Sequence, residues 1–211
     1  METFDNVLKR INSLLTINGK CIKDPSLAHG LCGLSIYFYT LHKIDPQRDY
    51  FTLAEYFSDK IVPIQPNIAF DFFKGLAGIC VSVDYLVHNR LLDIDPDQIL
   101  LEMDNAFFYR VACADSSNLE NLWSLGKYLQ ARHRFAEEKK KDRYYEFLIH
   151  LTDKFKTFYT ENLSDTYIFQ PIDLKVLITL EYCEAHKINI YEVSSILKKM
   201  IMSLVSIRPT K

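Results

Sequence analysis

At 211 residues, 48% hydrophobic and with a formal net charge of −2, the chain can bury a sizeable core and is not composed like a disordered polymer. That charge balance supplies no basic field for nucleic acid and no attraction to an anionic membrane, so neither partner is expected. No apolar run reaches the ~18 residues a bilayer span needs, and the opening METFDNVLKRINSLL is too interrupted by charge to serve as a signal peptide. The expectation is a cytoplasmic protein.

In chain order, the first predicted element is a helix over about 2–16. Four helix pairs follow. The first helix of each pair is apolar nearly all round, at 30–43, 75–89, 123–134 and 173–187. The second is amphipathic, at about 47–61, 96–112, 141–160 and 191–206. Breaks such as "KIDPQRD", "LLDIDPDQ" and "AEEKKKDR" separate them. Asp45 and Asp95 precede Pro46 and Pro96 as N-cap candidates. Short β-branched stretches such as "ICVSV" sit inside helical frames, so no strand is predicted. The polarity difference predicts buried inner helices and half-exposed outer ones.

Five of the six glycines mark a repeat. Gly30 and Gly33 open one inner helix in HGLCGLSIYFYTL, and Gly75 and Gly78 open the next in KGLAGICVSVDYL. Gly126 holds the second slot of LWSLGKYLQAR, with Trp123 in the first; Pro171 and Leu174 stand in the slots of the fourth unit. The spacing suits a two-helix repeat. A glycine inside a helix costs about 1 kcal/mol relative to alanine, so a pair at i and i+3 implies that something approaches one face closely.

HGLCGL, KGLAGI and LWSLGK resemble the G-x-x-G[IL] elements of the lanthionine synthetase C-like (LanC-like) family. The fullest similarity lies in "DFFKGLAGICVSVDYLVHNRLLDIDPDQILLEMDNAFF", and the likeness covers about residues 26–135, the remainder matching by spacing. It resembles bacterial members in particular. The resemblance implies an α/α toroid whose inner helices carry the glycine elements; a chain of this length forms a partial toroid, an arc of about four pairs, as one domain over 1–211. Active members are zinc enzymes that join a peptide cysteine to a dehydrated residue as a thioether in lanthipeptide maturation. Their metal sits on a W-C-x-G-like cysteine and an adjacent C-H-G pair. Here those places read Trp123-Ser124-Leu125-Gly126 and Ala28-His29-Gly30, so no metal ligand and no cofactor are expected, zinc entering only if the cyclase reading is right.

Two positions remain site-like under the resemblance. Asp71, four residues before Gly75, is similar to the D-x-x-x-G aspartate that family members place near zinc. His29 stands in the A-H-G context of their active centre. The plain readings are a helix cap for Asp71 and a helix-start hydrogen-bonder for His29. His42, His88, His133, His150 and His186 are scattered without metal spacing and read as surface or core residues. Lys139–Lys141 read as a solvated turn. The aromatic clusters read as core, with a fraction available to line a peptide groove. The five cysteines form no C-x-x-C and read as reduced, mostly buried thiols.

The functional expectation is a peptide-binding or scaffolding component of a peptide-modification system without its own zinc chemistry. The alternatives are a divergent thioether cyclase completed by a partner chain, using Asp71 and His29, and a generic helical-repeat interaction module. An open arc exposes its ends, so a peptide, a protein partner or self-association is expected to cover them, with helices 2–16 and 191–206 as caps.

Overall fold

The computed structural model describes residues 3–46, 48–61, 69–162, 170–186 and 198. Among them every regular element is an α-helix, as the periodicity predicts. The expected helix at 191–206 lies outside the described residues, apart from Lys198. No described helix is long and apolar enough to cross a membrane. The chain divides into two compact units, Met1–Pro96 and Asp97–Lys211.

The first unit holds α1 (Phe4–Gly19), α2 (Leu31–Ile44), α3 (Tyr50–Asp59) and α4 (Leu76–His88). The α2–α3 pair carries its core. Phe38, Ala54 and Phe57 are fully buried, and the Phe38 and Phe57 rings stack with centroids 5.6 Å apart. α1 docks through Asn12, whose amide donates to the Tyr50 hydroxyl at 3.0 Å and accepts from the Tyr37 hydroxyl at 2.5 Å. Gly19 ends α1 where an added Cβ would stand 2.8 Å from Phe57 Cζ, so its bareness permits the approach. α3 starts later than expected. Asp45 ends α2 and pairs with Arg48 at 2.9 Å, and Asp49 takes the N-cap position of α3.

The second unit continues from α5 (Pro96–Ile99), which straddles the boundary, through α6 (Leu101–Cys113), α7 (Leu119–Phe135), α8 (Glu138–Asn162) and α9 (Pro171–Ala185). α7 is its central helix, packed against α6, α8 and α9. The single helix expected at 96–112 is broken at Leu100. In an unbroken helix Asp97 and Asp104 would stand about 10.5 Å apart along the axis. With the break, both reach one guanidinium: Arg132 Nη2 donates to Asp97 Oδ1 at 2.7 Å and to Asp104 Oδ2 at 2.9 Å.

The helix expected at 123–134 begins at Leu119, because the Asn118 side chain caps it by accepting from the Asn121 amide at 3.0 Å. Trp123 and Gly126 therefore lie in the helix interior and not at its mouth. α9 begins at Pro171, with Gln170 and Asp173 forming a reciprocal capping box.

α4 and α7 differ in burial from α3 and α8 as their polarity predicts, whereas α9, expected to be buried nearly all round, leaves Leu174 and Ile178 half exposed. α4 buries most of its first seven residues, and α7 buries residues on several faces. α3 and α8 bury a single stripe each, of which Ala54 and Phe57, and Leu148, Leu151 and Phe155, are the centres.

Candidate functional site

Both glycine pairs in the first unit build the same loop. Gly30 and Gly75 are the N-cap residues of α2 and α4, with φ/ψ of −127°/−162° and −131°/−165°. Those angles suit any residue; what glycine supplies is space. A Cβ on Gly30 would lie 2.3 Å from the Asp24 carbonyl oxygen, and one on Gly75 2.1 Å from that of Ala69. On Gly33 and Gly78 it would lie 2.4 Å from Leu27 O and 1.9 Å from Phe72 O. The incoming loop crosses so tightly that its backbone caps the helix: the Leu31 amide donates to Asp24 O and the Leu76 amide to Ala69 O, both at 2.8 Å. The two loops are also joined to each other, the Ala28 amide donating to Phe73 O at 2.9 Å.

This junction holds both residues singled out from the sequence. Asp71 is half-buried, and its Oδ1 accepts from the Lys74 amide at 2.6 Å, closing the turn before α4. His29 is exposed beside Gly30. The loops that carry them are neighbours, but no hydrogen bond or ion pair links the two side chains. Exposed Ala28, Ala69, Phe73 and Lys74 share the junction. Gly126 belongs to a different environment, where a Cβ would meet the side-chain tips of Leu151 and Thr179 at 2.8 and 3.3 Å. Ser124 is buried inside α7.

A separate cleft of about 490 Å³ opens in the second unit, lined by His133, Glu138, Lys141, Tyr145, Tyr182 and His186 among others. His133 and Tyr182 are brought from α7 and α9, with His133 Nδ1 3.0 Å from the Tyr182 hydroxyl. His186 follows one turn later and its Nδ1 is 2.8 Å from the Tyr182 carbonyl oxygen. Burial, reinforced by the nearby His186 and Lys141, holds the His133 imidazole below its ordinary pKa, with Glu138 opposing them. Burial likewise pushes the Tyr182 phenol up.

The second unit also holds a buried polar network. Arg132, 1% exposed, grips Asp104 through Nε at 3.0 Å and Nη2 at 2.9 Å. Tyr144 donates to Asp104 Oδ2 at 2.7 Å, Tyr128 donates to Oδ1, and Lys140 pairs with Asp97. Burial works against the Asp97 carboxylate, but the Lys140 and Arg132 contacts outweigh it and hold its pKa below 3.8.

All five cysteines are free thiols, with Cys32, Cys80 and Cys183 buried. Burial pushes the Cys32 thiol up to about 12 against a hydrogen bond with Ser82, and the Cys183 thiol up to about 12 as well. Neither is poised as a nucleophile. No family model, no curated protein and no solved structure matches this chain.

Sequence reasoning passed over His133, Tyr182 and His186 because no local spacing unites residues from different helices. The one available signal was that α7 and α9 both read as inner helices, which makes them neighbours in a repeat.

Proposed function

We propose that this chain is a LanC-like protein, an arc of helix pairs forming a partial α/α toroid, that binds or scaffolds a peptide in a peptide-modification system without zinc chemistry of its own. The supporting observation is the duplicated glycine loop. Gly30/Gly33 and Gly75/Gly78 use the same backbone angles, the same capping hydrogen bond and the same close approach, 45 residues apart, and are fastened together by Ala28 and Phe73. The junction presents His29, Phe73 and Lys74 to solvent as a surface for an extended peptide. In this reading Asp71 and His29 shape the surface, the chain is cytoplasmic, and the peptide or a second copy covers an end of the arc.

The test is fluorescence anisotropy of labelled precursor peptides whose Ser/Thr residues are already dehydrated and whose cysteines are free, followed by mass spectrometry of their alkylated thiols. Binding with every thiol retained is the expected result. Zinc-dependent thiol loss moves the assignment to a divergent cyclase, for which alanine at Asp71 and His29 must then abolish turnover. Absence of peptide binding leaves a plain helical-repeat module. That second reading draws support from α7 and α9, which lack the glycine loop: Gly126 is mid-helix and Pro171 is the first residue of α9.

A further inference from the structure

We propose that His133 and His186 form a two-imidazole site for a divalent transition-metal ion in the cleft of the second unit. The support is the commitment of both Nδ1 atoms. His186 Nδ1 faces the Tyr182 carbonyl, an acceptor only, so it carries the proton and leaves the lone pair on Nε2. When the Tyr182 hydroxyl donates to Gln130 O, 3.5 Å away, its oxygen accepts from His133 Nδ1 at 3.0 Å. His133 too then offers a free Nε2. An imidazole whose Nδ1–H is held by a carbonyl or hydroxyl oxygen is the arrangement metal-binding histidines use to fix tautomer and orientation.

The ring spacing admits a shared ion. A zinc–nitrogen bond of about 2.05 Å puts the ring centre roughly 3.2 Å from the metal, so two rings at a tetrahedral angle have centres about 5.2 Å apart. The observed centroids are 5.1 Å apart, with the rings perpendicular at 89°. Glu138 and Asp142 line the same cleft with Arg134 and Lys141, and Glu138 is ion-paired with Lys141 at 2.8 Å, so the charges balance and the imidazoles supply the binding. Among the described residues no group of three or more His, Cys, Asp or Glu is gathered as a closed metal cage. The remaining coordination positions fall to solvent or a ligand, so the site is exchangeable and follows the order in which Cu²⁺ binds more tightly than Ni²⁺ or Zn²⁺. These residues are not the ligand positions of the resembled family, and the inference does not rest on the peptide-binding reading.

The test is calorimetric titration of untagged full-length protein with Zn²⁺ and Ni²⁺ at pH 7.5. One ion per chain with roughly micromolar affinity is expected. His186→Ala, at an exposed position, is expected to weaken binding at least tenfold, as is His133→Ala, while His150→Ala stays within twofold of wild type. Helical circular dichroism and the thermal midpoint confirm that each variant is folded. Co²⁺ supplies a second readout, its visible absorption bands appearing with wild type and vanishing with His186→Ala. No saturable binding below 1 mM ion by about a thousandfold excess over the expected constant, or a His186→Ala variant that binds as wild type does, overturns the proposal.

Discussion

At the scale of single residues, glycines of one composition class do different work. Gly75 and Gly78 face backbone carbonyls that cannot swing aside, whereas Gly126 faces the ends of Leu151 and Thr179. Overpacking a tight site costs typically 1–3 kcal/mol, and a backbone clash belongs at or above the top of that range. Gly75→Ala is therefore expected to lose about 3 kcal/mol in urea unfolding, while Gly126→Ala, which gains about 1 kcal/mol of helix propensity, should stay within about 1 kcal/mol of wild type. Arg90 makes the opposite case. It adopts φ +56° just past α4, with its amide donating to Val87 O and the Leu91 amide to Leu86 O, both at 2.9 Å. That is the helix-ending pattern in which glycine is preferred, so Arg90→Gly should raise stability by up to about 1 kcal/mol in the same measurement.

At the scale of elements, the Arg132 network fastens α5, α6 and α8 to α7. Truncating one partner of a buried pair strands the other, which costs about 3–5 kcal/mol, so Arg132→Ala should be among the most destabilising changes in the second unit. Asp97 makes part of this pH-dependent. Its carboxyl has a lower pKa folded than unfolded, so its contribution is present above the unfolded value and is lost as pH falls through the folded one. Stability should decline below about pH 4, and Asp97→Asn should flatten that acid limb in pH-resolved thermal melts. His133 acts in a higher window. With its folded pKa below 6.5, protons favour the unfolded chain, so stability falls as pH drops through the unfolded value. His133→Gln should remove the part of the slope between about pH 7 and 5 that it causes. His186, Lys141, Glu138 and Tyr182 surround it there, and they remain unchanged in the variant.

For the whole molecule, the division into Met1–Pro96 and Asp97–Lys211 assigns each of these substitutions to one unit. Hydrogen exchange checks this: Gly75→Ala should speed exchange in α2–α4, and Arg132→Ala in α6–α9, with the two losses adding in the double variant. Helical class, helix order and the burial of α4 and α7 against the half-burial of α3 and α8 were legible from sequence alone, since each rests on periodicity within a dozen or so residues; α9 was not, for its apolar Leu174 and Ile178 stand half exposed. So was the bareness of Gly30, Gly33, Gly75 and Gly78, because a missing Cβ implies close approach whatever approaches. Helix starts were less legible: Asn118, five residues before the expected start at Trp123, wins α7 by a side-chain cap that composition does not rank against a glycine marker. Only tertiary structure could show that the loops at Ala28 and Phe73 bond to each other, that Leu100 breaks a helix so that Asp97 and Asp104 converge on Arg132, and that His133 meets Tyr182 and His186. Those contacts join residues far apart in the chain, such as Arg132 and Asp97 at a separation of 35 and His133 and Tyr182 at 49. The local pattern decides which face of a helix is apolar; which faces then meet is decided by packing, and the side chains that share a cleft are set by that choice.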